Sequence, residues 1–270
     1  MFGSNKKIKR ETDEEKIEEQ ALAAAVEKAE GGISESELAE FEEFKRQKKL
    51  LELRRKLKKI DHTLLKQTAT KAEIKKLCDE AMEYGFYSVC VQPVHVREVS
   101  NYLKESAVDV ACVVGFPMGE NLTEVKVLET KRAVADGADE IDMVACISAI
   151  KNGNFSYVKK DIKKVVSAAK GHPVKVILET SLLTREELIK SCQCARDGGA
   201  AFVKTSTGYF GEGAKAEDVK LMKEAVKGAC SVKASGGIRN GEQFLKMLEA
   251  GADRVGTSAG VQIAKDLKEQ

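Results

Sequence analysis

Between residues 59 and 258 the sequence repeats one pattern eight times: a short apolar run of strand length, then a stretch with helical periodicity. The runs are Lys59–His62, Tyr87–Gln92, Val108–Phe116, Glu140–Cys146, Val174–Glu179, Phe202–Thr207, Ser231–Ile238 and Arg254–Ser258. Between them, Ile74, Leu77, Cys78, Ala81 and Met82 share one helical face, as do Phe155, Val158, Ile162, Val165 and Ala169. Thr70 with Glu73 and Thr184 with Glu187 have capping-box spacing, and Gly85, Gly137, Gly198, Gly228 and Gly251 stand where helices should stop. Strand–helix alternation implies parallel strands joined by right-handed crossovers. Eight units in roughly 200 residues fit a closed (β/α)₈ TIM barrel. The rival is an open doubly wound sheet, which would carry a GxGxxG turn after its first strand; none follows here.

The expected domain division is a charged helical extension over residues 1–56 and a barrel over residues 57–270. Acids crowd Glu11–Glu30, Gly31-Gly32 interrupts them, and Ser34 with Glu37 suggests a capped helix running to about Lys59. From Lys45 to Lys59 there are nine basic residues and one acid, Glu52. Two readings of this arm stand: a solvated helix laying Leu50, Leu51, Leu53 and Leu57 on the barrel, or an arm that binds an acidic partner or a second subunit.

With 45 basic and 43 acidic residues, the chain has no net charge to draw it to nucleic acid or anionic membrane. No apolar run approaches the roughly 18 residues of a bilayer span. The start lacks the apolar core of a secretory signal, and seven cysteines scattered through apolar stretches read as reduced, buried thiols. A cytoplasmic location is the expectation. The three histidines lie far apart and no CxxC occurs, so no metal site is expected.

Barrel enzymes place their chemistry where strands end, and the run ends here are unusually polar: Asp61, Cys90, Asp142, Glu179, Lys204 with Thr205-Ser206-Thr207, Lys233 with Ser235, and Thr257-Ser258, while Lys175 opens the fifth run. Lys204 stands out because it interrupts an apolar strand, and lysine is almost never fully buried without a partner. Lys233, on the next run, is a second such amine. Neighbouring strands lie roughly 4.8 Å apart, so each ammonium would depress the pKa of the other, as would burial. An amine tuned to about 7–8 can attack a carbonyl and form a Schiff base. The alternative is that each lysine snorkels to solvent or pairs with Asp142 or Glu179. Asp142, in mid-strand, fits either a proton carrier or a counter-charge for the lysines.

Three segments have the glycines, hydroxyls and strand-to-helix turns of an anion cradle: Thr205–Gly208, Ser235–Arg239 and Gly256–Ser258. Barrels often bind phosphate after strands seven and eight, where two of these lie; ordinary tight turns are the alternative. The residues alone therefore reach a barrel enzyme with an amine catalyst and a phosphorylated carbonyl substrate.

The sequence also resembles the deoxyribose-phosphate aldolase family, on IDHTLLK (60–66), YGFYSVCVQP (84–93), VVGFPMG (113–119), TEVK (123–126), GADEIDMV (137–144), VKVILET (174–180), FVKTSTG (202–208), DVKLM (218–222), VKASGGIR (232–239) and GADRVGTS (251–258). The resemblance implies reversible cleavage of 2-deoxy-D-ribose 5-phosphate to acetaldehyde and D-glyceraldehyde 3-phosphate, without metal or organic cofactor. It implies Lys204 as the Schiff-base lysine, Lys233 as the lysine that perturbs it, and Asp142 as the proton carrier acting with a water. Substrate and phosphate contacts are expected from Asp61, Cys90, Lys175, Thr205, Gly208, Gly236, Gly237, Gly256 and Ser258. Departures from the family pattern are Gln67, Gln92, Ser148 within CISAIK, and Ala259, the last removing a hydroxyl from the phosphate loop. A homo-oligomer, with a dimer foremost, is expected. Two rival functions remain at this point: a Schiff-base barrel aldolase for a longer sugar phosphate, and a non-catalytic barrel whose arm binds a partner.

Overall fold

The computed structural model describes residues 35–269, and the chain divides into two units, Met1–Leu53 and Arg54–Gln270. The acid-rich stretch, Gly31-Gly32 and Ser34 of the expected capping box lie outside the described residues. A first helix, α1, runs Glu35–Leu57. Ion pairs one turn apart, Glu42 with Lys45 and Glu43 with Arg46, lace its polar surface; such pairs contribute a few tenths of a kcal/mol, ~0.2–0.5 each. Leu57 is buried, whereas Leu50 is half-exposed.

The strands are β1 (Ile60–Leu64), β2 (Ser88–Val91), β3 (Asp109–Val114), β4 (Glu140–Val144), β5 (Val174–Ile177), β6 (Phe202–Lys204), β7 (Ser231–Ser235) and β8 (Arg254–Thr257). All neighbouring pairs are parallel, and β8 pairs back onto β1, which closes the barrel. Each apolar run of the sequence yields one strand; β1 continues two residues past its run, to Leu64, whereas the other seven strands stop short of the ends of theirs. Phe202–Thr207, for example, yields a strand only to Lys204, because Thr205 turns its hydroxyl onto the main chain of the next strand's end.

The principal helices between strands are α2 (Lys71–Tyr84), α3 (Val96–Leu103), α4 (Thr123–Ala135), α5 (Ile147–Lys151), α6 (Phe155–Ala168), α7 (Arg185–Asp197), α8 (Ala216–Val226) and α9 (Gly241–Glu249), and α10 (Gly260–Glu269) follows β8. Both capping boxes form as spaced: Thr70 and Thr184 accept from the backbone N–H of Glu73 and Glu187, whose carboxylates return to the cap N–H. The expected faces are the buried ones, at ~1.5–3 kcal/mol per enclosed aliphatic side chain: Ile74, Leu77, Cys78 and Ala81 on α2; Val158, Ile162 and Val165 on α6. Met82 departs from this, sitting at the edge of its face and 40% exposed.

Alternation along parallel strands sends one set of side chains outward under the helices and the other into the barrel. On β5 the set containing Val174 and Val176 faces out, and the set containing Lys175 faces in. The interior is divided. Cys90 and Ala111 with Val113 form an apolar wall with Leu65 on the β1–β3 side, while β4 to β8 and β1 supply ionic groups. No helix among the described residues is long and apolar enough to cross a membrane.

Candidate active site

The register sets Lys204 beside Lys233 on β6 and β7, and Asp142 beside Lys175 on β4 and β5. All four are buried. Asp142 stands at the centre. Its Oδ2 accepts from Lys204 Nζ at 2.8 Å and from Lys233 Nζ at 2.7 Å, and its Oδ1 accepts from Lys175 Nζ at 2.8 Å. Neither Lys204 nor Lys233 snorkels to solvent. The pairing with Asp142 that the sequence left as an alternative is the arrangement found, and one carboxylate oxygen bridges the two amines. Lys233 also forms an ion pair with Asp61, 2.5 Å from its Oδ2.

This geometry separates the amines. Burial pushes Lys204 down; Asp142 pulls it back, Lys233 pushes it down again, and it settles below the ordinary lysine value. Lys233 feels the same burial, but Asp142 and Asp61 together hold it above that value. Lys175 is likewise raised, burial being outweighed by Asp142 and Glu140. Burial opposes the charge of Asp142, yet Lys175, Lys204 and Lys233 keep its carboxyl well below the usual range. Lys204 is thus the amine that gives up its proton most readily, and Asp142 is an ionised carboxylate touching it. A neutral amine beside a base that can accept and return a proton is the equipment for nucleophilic attack on a carbonyl.

Above these groups opens a cavity of about 390 Å³. Lys204 lines it together with Thr207-Gly208, Ser235–Arg239 and Gly256–Ser258, so parts of all three expected cradle segments meet round one space. Gly236 and Gly237 take successive left-handed conformations, with φ of 89° and 76°, which side chains with a Cβ adopt only with strain. The backbone N–H groups of Gly236, Gly237 and Ser258 have no hydrogen-bond partner among the described residues, and such donors suit an anion. Gly256 has a second reason to be glycine: a Cβ there would lie 3.0 Å from Lys233 Cε. It leaves room for the lysine stem as well as lining the cavity.

Four of the expected contact residues do not line this space. Asp61 and Lys175 are fully buried beneath it, their charges taken by ion pairs, and Cys90 belongs to the apolar wall, its thiol pushed up by burial. Thr205 stitches the loop after β6 to the end of β7, its Oγ1 donating to Ser235 O and accepting from Ser235 N, each at 3.0 Å.

Other residues shape the site, among them Glu179, which the sequence marked only as a polar run end and an alternative lysine partner. Glu179 has a left-handed backbone, φ 51°, at the end of β5. Its Oε2 accepts from the backbone N–H of Thr207 at 3.1 Å and from the Thr207 hydroxyl, which fixes the loop after Lys204. Tyr209 packs edge-on against Phe116 and donates to Leu65 O at 2.8 Å, closing that loop over the β1 end. A polar residue ending an apolar run was the available signal for Glu179; nothing local marks Tyr209. Glu140 and Arg254 are buried ions under Asp142 and Asp61, and their sign was alternation alone: each lies on the inward phase of its strand.

The departures have local roles. Gln92 donates from Nε2 to Leu65 O at 3.1 Å, and the N–H of Ser148 donates to Glu120 at 3.0 Å. Gln67 is exposed. Ala259 donates its N–H to Thr257 Oγ1 at 2.9 Å and has no hydroxyl to offer the cavity.

A closed parallel barrel with a buried amine–carboxylate cluster at the floor of an anion-friendly cavity defines a (β/α)₈-barrel aldolase. Residues 56–266 match the model of the DeoC/LacD family aldolases. The deoxyribose-phosphate aldolase of Thermococcus gammatolerans is 56% identical over 212 residues, covering 77% of this chain and 94% of that one. Deoxyribose-phosphate aldolase 2 of Staphylococcus aureus is 54% identical over 211 residues, 78% of this chain and 96% of that one. A solved deoxyribose-phosphate aldolase from Aeropyrum pernix, described as having a unique tetrameric structure, superposes with a TM-score of 0.76 at 34% identity, covering 82% of this chain and 96% of that one. The chain belongs to the DeoC/LacD family of aldolases.

Proposed function

We propose that this aldolase cleaves 2-deoxy-D-ribose 5-phosphate reversibly to acetaldehyde and D-glyceraldehyde 3-phosphate, through an imine on Lys204. Neutral Lys204 Nζ attacks the C1 aldehyde of the open-chain sugar, and loss of water leaves a protonated imine. The C3 hydroxyl loses its proton, the C2–C3 bond breaks, and its electron pair moves into the imine to give an enamine. Glyceraldehyde 3-phosphate departs; protonation of the enamine carbon and hydrolysis release acetaldehyde and free Lys204. Asp142, acting with a water, carries the protons, and Lys233 helps to hold the pKa of Lys204 down. The observation that carries this proposal is one cavity lined by both Lys204 and the glycine–hydroxyl loops, so that a short phosphorylated aldehyde would meet amine and cradle together. The reaction is placed in the cytoplasm, in keeping with seven free cysteines, and the assembly is proposed as a homodimer; sedimentation would separate a dimer from the tetramer described for the Aeropyrum relative.

A coupled assay for acetaldehyde release from 2-deoxy-D-ribose 5-phosphate tests the reaction. Release only from longer sugar phosphates would replace the substrate. The phosphate end is tested at Gly237, whose added Cβ would lie 3.2 Å from Glu212 O on a left-handed backbone. Charge-assisted hydrogen bonds are worth ~1.5–3 kcal/mol each, so Gly237→Val should raise KM by about 10–100-fold, with Ser258→Ala doing much less. A normal KM in Gly237→Val would move the phosphate elsewhere.

The N-terminal arm is proposed to stand outside the chemistry, because every candidate side chain lies at or beyond Asp61. Deleting residues 1–40 should leave kcat/KM little changed. A truncation that melts like the full chain but does not turn over would overturn this.

A further inference from the structure

The ion pairs beneath the cavity form a closed circuit. From Asp61 Oδ1, Arg254 Nε lies at 2.9 Å; Arg254 Nη2 reaches Glu140 Oε2 at 3.1 Å. Glu140 Oε2 meets Lys175 Nζ at 2.6 Å, and Lys175 meets Asp142 Oδ1 at 2.8 Å. Asp142 Oδ2 meets Lys233 Nζ at 2.7 Å, and Lys233 returns to Asp61 Oδ2 at 2.5 Å. Signs alternate round all six members, three cations and three anions, so the ring is neutral. Lys204 is a seventh ion, attached only to the Asp142 oxygen that Lys233 already occupies.

We propose that Arg254 and Glu140 are positioning residues for the aldolase reaction: by closing this ring at the end remote from the cavity, they leave Lys204 the one amine with no counter-charge of its own. The inference rests on the assignment of the imine to Lys204. When a buried cluster of four cations and three anions sheds a proton, taking it from a ring lysine breaks two ion pairs. Taking it from Lys204 breaks one, and that one is shared. The same logic explains an arginine at position 254. A guanidinium is never deprotonated in proteins, so the missing proton cannot move to that corner. Arg254 is also fixed in place, its guanidinium carbon 3.3 Å from the centroid of the Tyr87 ring.

The other groups facing these residues do not upset the balance. Cys90 faces Lys204 from β2, its thiol pushed up by burial and therefore neutral. Glu179, beyond β5, is raised by burial and bound to Thr207. Tyr87 beside Arg254 is raised by burial and by Glu140, and is neutral too.

The two closing residues have opposite charge, and that makes the test directional. The readouts are the pH dependence of kcat/KM and of borohydride trapping with substrate, with the labelled lysine identified by mass. In Arg254→Met the cluster's surplus positive charge disappears, Lys204 keeps its proton, and the rising limb of the profile should move alkaline by about one pH unit. In Glu140→Gln the surplus grows, and the limb should move to lower pH. Arg254→Met combined with Glu140→Met removes one charge of each sign and should return the limb toward its wild-type position. A merely structural role would lower activity in all three without this reversal of sign. If Arg254→Met does not fold, the acid shift in Glu140→Gln alone decides. Limbs that stay put, or move the same way in both single variants, overturn the ring proposal while label on Lys204 persists. No label on Lys204 in the wild-type enzyme instead removes the imine assignment beneath it.

Discussion

Lys204→Ala should abolish aldol cleavage, lowering kcat/KM by several orders of magnitude, while leaving the protein as stable as before or more so. The catalytic loss follows from chemistry: no other group lining the cavity is a buried amine poised to lose its proton, and without one the covalent route is closed. The stability expectation follows from the ion count. Lys204 is an extra cation in a cluster already neutral without it, and burying a charge that lacks a full counter-charge opposes folding. Its removal also frees Asp142 Oδ2 to serve Lys233 alone. Borohydride added with acetaldehyde should fix mass on the peptide containing AFVKTSTG in the wild-type chain and on nothing in the variant. Label on Lys233 or Lys175 would overturn the assignment yet keep the reaction class. A variant that loses activity by melting would show that the lysine holds the barrel together.

The barrel was legible because its signal is periodic. Eight apolar runs and the helical faces between them come from burial, and burial writes itself into sequence at fixed spacing. The strand ends were less legible, because hydroxyl-to-backbone bonds such as that of Thr205 stop a strand within a run that still reads as apolar. In the site, Lys204, Lys233 and Asp142 could be picked out since a charge within an apolar strand needs a reason. What alternation did not give was which neighbour each charge would choose. Lys175 reads from the sequence as a substrate contact, while its amine is held by Asp142 and Glu140 under the cavity floor. Arg254 and Glu140 could have been found by extending the inward phase of β8 and β4 one step below Gly256 and Asp142. Tyr209 could not: its partner Leu65 lies on the first strand's loop, and only the closed barrel brings the two together.

Lys233→Leu should behave unlike Lys204→Ala, because Lys233 acts on its neighbour's proton rather than on substrate. Removing it strands Asp61 without its lysine and leaves Asp142 with Lys204 and Lys175. Breaking a buried pair this way costs about 3–5 kcal/mol, so the melting temperature should fall. For activity, the sign is set by which form of Lys204 reacts. The neutral amine attacks, its fraction grows as pH rises through its pKa, and anything that raises that pKa moves the rising limb of the profile to higher pH. In the wild-type enzyme burial and then Lys233 hold Lys204 low, with Asp142 opposing. Without Lys233 the like charge is gone and Asp142 Oδ2 belongs to Lys204 alone, so both changes push in the same direction. The limb should move alkaline by at least about one pH unit, with turnover at neutral pH reduced and partly recovered at high pH. Trapping of Lys204 by borohydride should follow the same shifted profile. A variant that loses activity equally at every pH, with Lys204 still trapped at neutral pH, would mean that Lys233 contributes to a proton transfer in the reaction and not to the pKa of its neighbour.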